Sequence, residues 1–204
     1  MSTTFGPLYT RPVGQRRHHY EVAFEEYLRS RRIPYVSVDE ARRALLPAAA
    51  RVPNGLDCPD ADRHELPSLK GFDYVVYPAA AGIASNLLVD VKGRKIARGR
   101  TGAARAGAGR LESWVTLDDV RSLQKWSELF GAGFDAAFVF IYWCEAQPPD
   151  ALFQEVFEHR GRWYAVRLVT LSAYTKSMRT RSERWGTVHL PSAAFERASR
   201  PFAA

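Results

Sequence analysis

Leu87-Leu88-Val89-Asp90-Val91-Lys92-Gly93 constrains this chain more than any other stretch of it. Four aliphatics in five positions, with valine on both sides of an acid, read as a buried strand that the glycine ends. Side chains alternate across a strand, so Leu88, Asp90 and Lys92 share one face, and Leu87, Val89 and Val91 the other. A carboxylate and an ammonium then stand side by side at the end of an apolar strand, where each is costly to bury unless paired or liganded. An edge-strand ion pair would meet that condition. So would a site that needs the charges, and the surrounding sequence weighs towards it.

The net charge of +7 on 204 residues becomes informative because the excess is localised. Residues 93 to 113 hold Arg94, Lys95, Arg98, Arg100, Arg105 and Arg110 among glycines and alanines, with Glu112 as their only acid. This reads as a long basic loop leaving the central strand. Lys176, Arg179, Arg181 and Arg184 form a second basic stretch, against Glu183 alone. Both stretches suit a polyanionic partner. With 46% hydrophobic residues the chain is long enough for one well-cored domain. No run of about 18 apolar residues follows the polar start Met1-Ser2-Thr3-Thr4, so a cytoplasmic protein without a membrane partner is expected. Cys58 and Cys144 give neither a disulfide framework nor a metal-knuckle spacing, and free thiols are expected.

In chain order, residues 1–15 form an irregular arm, 16–171 a single domain and 172–204 a basic C-terminal extension. Tyr20, Phe24, Tyr27 and Leu28 fall on one face of a helix from Arg16 to Arg32, which Pro34 stops. Tyr35–Val38 is a short strand, and a turn or two of helix follows from Asp39 to Leu45. Pro47 to Pro67 reads as a polar insertion. Its Asp57, Cys58, Asp60, Asp62 and His64 match no zinc or EF-hand spacing, and a solvated loop is the better reading. Phe72–Tyr77 is a strand joined through Pro78–Gly82 to the central one. Thr116 and Asp119 form a capping box with Asp in the usual Glu position. They open a helix to Phe130 with Val120, Leu123, Ser127 and Phe130 inward. Phe134–Trp143 is apolar enough to be covered on both faces. Phe153–Glu158 and Trp163–Leu171 make a hairpin about His159–Arg162. Trp126, Trp143 and Trp163 read as core or core rim.

This order, a helix with an acid, a strand with Asp73, a hairpin into Asp90-Val91-Lys92, then a helix and a buried strand, resembles the PD-(D/E)XK nuclease superfamily. That superfamily includes restriction enzymes and archaeal Holliday-junction resolvases, and the pattern here is nearest to the resolvase-like members. The resemblance covers roughly residues 16 to 143. It implies an α/β fold with a restriction-endonuclease-like αβββαβ core: a central mixed sheet flanked by helices, here with an added C-terminal hairpin and basic tail. Gly71-Phe72-Asp73-Tyr74 is similar to the strand carrying the family's first metal-binding acid, and Asp90 and Lys92 to its (D/E)-x-K. Glu21 resembles the first-helix acid of resolvase-like members, with Glu25 as a rival one turn on. Gln124 stands where several members carry a glutamine, although a structural role suits it as well. Two features depart from the compact resolvases: the longer gap from Asp73 to Asp90 and the 47–67 insertion.

The implied chemistry is metal-dependent hydrolysis of DNA phosphodiesters, with branched or structured DNA one candidate substrate and RNA left open. Asp73, Asp90 and Glu21 would hold Mg²⁺ or Mn²⁺, and Lys92 would orient or deprotonate the attacking water. Gln124 would position water or a backbone group. Arg94, Lys95, Arg98, Arg100, Arg105, Arg110, Lys176, Arg179 and Arg181 would contact nucleic acid. A non-catalytic nucleic-acid-binding protein on the same fold is the alternative, and a structural subunit using its basic segments on another protein a third reading. A homodimer stays open.

Overall fold

The computed structural model describes residues 15–38, 69–77, 85–96, 111–144 and 155–202, with the backbone alone for 15–18. The expected helical turn at 39–45, the 47–67 insertion, the 78–82 connection and Arg98, Arg100, Arg105 and Arg110 lie outside these residues. The described elements are α1 (Gln15–Ser30), β1 (Tyr35–Ser37), β2 (Tyr74–Val76), β3 (Asn86–Ile96), β4 (Val115–Thr116), α2 (Leu117–Phe130), β5 (Phe134–Cys144), β6 (Val156–His159), β7 (Arg162–Thr170), α3 (Leu171–Ser177), β8 (Arg179–Ser182), β9 (Thr187–His189) and α4 (Ser192–Ala198). None of these helices is long and apolar enough to cross a membrane.

Six strands form a mixed sheet in the order β1-β2-β3-β5-β7-β6, parallel only between β3 and β5. A parallel pair needs a crossover, and α2 supplies it here. A second, antiparallel sheet runs β4-β9-β8. The helical stripe of α1 explains one face of the large sheet. Phe24, Tyr27 and Leu28 pack on Val89, Val139, Ile141 and Val166. Val120 and Leu123 of α2, Tyr174 of α3 and Phe195 of α4 cover the other face against Leu88, Phe138, Phe140 and Tyr142. Successive residues of β5 enter opposite clusters, so its uninterrupted apolar run is what a doubly covered strand requires. The capping box at Thr116 and Asp119 is formed, and α2 ends at Phe130.

Phe130, expected inward, is exposed at the end of α2, and two larger features also differ from the sequence reading. The stretch read as a basic extension over residues 172–204 contributes Tyr174, Val188, Leu190 and Phe195 to the same buried cluster as β5. Their apolar positions are interleaved with arginines, which masks the core pattern. The second difference is that β3 does not stop at Gly93. It runs on to Ile96, paired residue by residue with β5 as far as Cys144, so Arg94 and Lys95 stand on a strand. Gly93 is there for space, because a Cβ at this position would lie 2.1 Å from Cδ2 of the Tyr20 ring. Gly93→Ala should therefore cost about 1–3 kcal/mol in stability through overpacking. Thermal melts should show Tyr20→Ala recovering part of that loss in the double variant; a Gly93→Ala protein as stable as wild type would mean the ring simply moves aside.

The short β2 positions the site. It pairs with Leu87–Val89 only, so among the described residues no antiparallel strand continues beside β3 from Val91 onwards. That edge of β3 opens into a cavity.

Candidate active site

The cavity has a volume of about 670 Å³ and is bordered by α1, the residues leading into β2, the open half of β3, and the start of α2. Burial of the Phe24 stripe leaves Glu21 on the cavity side of α1, and Tyr74 donates to the Glu21 carbonyl at 3.1 Å, tying this turn to β2. Glu25, one turn on, is engaged elsewhere. Its Oε1 accepts from the Tyr35 hydroxyl and from Arg29, each at 2.7 Å.

Asp73 sits where β2 begins. Its N–H donates to the Val89 carbonyl at 2.9 Å, and its Oδ2 accepts from the Val91 N–H at 2.6 Å. Asp90 is buried on β3, and its Oδ1 lies 2.8 Å from the Lys92 ammonium. Lys92 also reaches Asp119 Oδ2 at 3.3 Å, and Asp119 Oδ1 pairs with Lys70 at 3.1 Å. Asp119 is itself fixed by the helix cap: Thr116 N donates to Oδ2 at 2.9 Å while Asp119 N donates to Thr116 Oγ1 at 3.1 Å. Asp90, Lys92, Asp119 and Lys70 thus alternate in sign across the cavity wall.

Burial, then the charge of Asp90, pushes the Asp73 carboxyl up to about 7, against the Val91 N–H that favours its ionised form. Burial likewise raises Asp90 to about 6, with Lys92 opposing. Burial works against the Lys92 ammonium, but Asp90 and Asp119 outweigh it and its pKa is raised. Burial alone would raise Asp119 too; Lys92 and the Thr116 hydrogen bonds overcome it and hold Asp119 down at about 2. At neutral pH, Lys92 is therefore a fixed cation beside two carboxylates that are reluctant to be charged together.

That reluctance has a measurable consequence. Carboxylates raised in the fold from a reference near 3.8 leave the folded state holding more protons than the unfolded one. The metal-free protein should be more stable near pH 4 than near pH 8, losing this stability as pH rises from about 4 through about 7. Thermal melts in chelator would follow this, and Asp73→Asn should flatten the loss.

The other expected residues are more scattered. Arg94 lines the cavity, donates to the Gly93 carbonyl at 2.8 Å and to the Trp114 carbonyl, and stacks 4.1 Å over the Trp114 ring. Arg181 flanks the same ring at 5.1 Å and pairs with Glu112 at 3.4 Å. Lys95 lies 4.6 Å over Trp143, while Lys176 and Arg179 stand exposed on α3 and β8. Gln124 is exposed on α2 and does not line the cavity. Val120 and Leu123 fix the inward stripe of that helix, and the next residue turns away by about 100°. Two cavity residues, Asp119 and Lys70, are not among those the sequence pattern marks for the site. The Asp in place of a capping Glu is the visible signal for the first; Lys70 carries none.

Among the described residues no three His, Cys, Asp or Glu side chains form a preformed ion site. The donors present nevertheless suit a hard divalent cation. Asp73 and Asp90 offer only oxygen, and their burial and mutual repulsion are what a cation would relieve. One or two carboxylates, completed by water and phosphate, is an ordinary magnesium arrangement. Glu21 lies on the same cavity wall and is among the charges raising Asp73.

No family model matches this chain, and no curated protein does. Among solved structures the chain is similar to Archaeoglobus fulgidus Hjc, a Holliday junction resolvase from an archaeal hyperthermophile. The alignment covers 88% of this chain and 92% of that one, at 11% identity and a TM-score of 0.45.

Proposed function

We propose that this chain is a metal-dependent nuclease, on a restriction-endonuclease-like fold, that hydrolyses DNA phosphodiester bonds. The observation that carries the reading is the meeting of Asp73, Asp90 and Lys92 in one cavity at an open strand edge. Bound there, Mg²⁺ or Mn²⁺ would neutralise phosphate charge and make water nucleophilic near neutral pH. Asp73 and Asp90 would hold the cation, with Asp73 oriented by the Val91 N–H. Lys92, held by Asp90 and Asp119, is placed to orient the attacking water and to stabilise charge growing on the phosphate. Asp119 aims Lys92, and Lys70 brings a second ammonium to the same wall.

The partner is DNA, drawn by Lys176 and Arg179 and by Arg98, Arg100, Arg105 and Arg110. Incubation with duplex, branched and single-stranded DNA, and with RNA, with and without Mg²⁺ or Mn²⁺, tests the reading. Metal-dependent products on DNA support it; tight binding with no cleavage of any substrate leaves a binding protein. Lys176→Gln with Arg179→Gln should flatten the slope of log affinity against log salt by about 0.9 per lost phosphate contact. A slope that does not move would place these two cations off the nucleic acid.

A further inference from the structure

Trp185 is the most exposed of the large apolar side chains among the described residues, at 71%. It stands on the turn between β8 and β9, and the turn is braced. Gly186 N donates to the Glu183 carbonyl at 3.1 Å, with Gly186 at φ +52°, a backbone that favours glycine. Leu117 N donates to the Gly186 carbonyl at 2.7 Å, fastening the turn to the first residue of α2. The next residue, Thr187, pairs with Thr116, which lines the cavity and caps the helix that carries Asp119. Trp185 thus stands two residues along the chain from the partner of that wall.

Its surroundings are cationic. Arg179, Arg181 and Arg184 are all exposed along and just beyond β8, and the Arg184 guanidinium lies 5.5 Å from the Trp185 ring centroid. A protein partner for an exposed indole would want an apolar patch around it. An exposed indole with one arginine beside it and two more exposed on the adjoining strand matches a polyanion that also presents flat π faces, which is nucleic acid.

We propose that Trp185 is a base-stacking platform, and that the preferred substrate carries an unpaired base close to the cut phosphate. This rests on the nuclease reading above and narrows it. Bases inside a continuous duplex are covered on both faces by their neighbours. A fixed indole can stack only where a face is open, as at a gap, flap or branch. Arg179, Arg181 and Arg184 would follow the backbone on either side.

The test measures binding of the full chain, in chelator, to a relaxed closed circular duplex and to the same circle carrying a short single-stranded gap. Trp185→Ala should weaken binding to the gapped circle about tenfold, the loss of roughly one base–aromatic stack, and leave the closed circle unchanged. Trp185→Phe should keep most of the preference. Equal loss on both circles, or loss on neither, overturns the proposal; so does a Trp185→Ala change in oligomeric state without a change in gap preference, which would place the indole at a protein interface. Cleavage of the same circles by wild type with Mg²⁺ is read separately. A protein that prefers the gap yet never cuts removes the nuclease reading and leaves the stacking platform, whereas a cutter indifferent to Trp185→Ala does the reverse.

Discussion

Asp90→Asn and Lys92→Ala should each reduce metal-dependent DNA cleavage by about 10²–10³-fold or more, while affinity for DNA in chelator stays within about threefold of wild type. The two variants fail for different reasons. Asparagine at 90 keeps the shape but loses the charge that attracts a cation, and it also releases the 2.8 Å contact that holds Lys92. Alanine at 92 leaves both carboxylates but removes the donor facing the phosphate, an interaction that strengthens only as charge develops. On the proposed reading most of the binding comes from cations outside the cavity, so it should survive both changes. Single-turnover cleavage under excess enzyme, beside a chelator binding curve, separates these effects. A normal rate in either variant would end the catalytic assignment.

Asp119→Ala should produce the second large effect, and it should be a double one. The carboxylate closes the helix cap with Thr116 and also holds Lys92 and Lys70. Losing the cap should cost about 1 kcal/mol of stability. Losing the grip on Lys92 should cost about 10–100-fold in cleavage, in the range seen when a residue that orients a catalytic group is removed. Thr116→Ala separates the two. It should lose about the same stability, because Asp119 N and Lys70 both lose the Thr116 hydroxyl, yet it should keep most activity because the Asp119–Lys92 contact remains. Equal activity losses in the two variants would show that Asp119 acts only by capping. Its folded pKa is depressed to about 2, so its contribution to stability is full above about pH 4 and is lost as pH falls through about 2. Asp119 should therefore leave no inflection in a rate profile near neutrality.

What can be read from sequence divides along the range of the interactions involved. The stripe of α1, the doubly buried β5 and the capped start and end of α2 are all legible, since each is written in residues a few positions apart. Gly93 reads as a terminator because the Tyr20 ring that requires it belongs to a distant helix. Helical spacing does not separate Glu21 from Glu25; Tyr35 and Arg29 engage the second and leave the first at the cavity. Asp119 declares its local role and hides the other, which exists only once Lys92 and Lys70 arrive from elsewhere in the chain. Gln124 is placed by resemblance, and the rotation of α2 about Val120 and Leu123 turns it outward.

The half of β3 that no strand among the described residues pairs on this side has a cost that catalysis does not explain. An unpaired strand edge is a template on which another chain can add a strand, the usual start of aggregation. Here that edge carries Lys92, Arg94 and Lys95, and the Tyr20 ring lies against Gly93. Charges on an edge and a ring laid against its backbone are how soluble proteins discourage such pairing. The residues that serve the cavity thus also act as its guards. Variants that neutralise Lys92 and Arg94 together should self-associate on storage, and light scattering should rise before any loss of fold is seen.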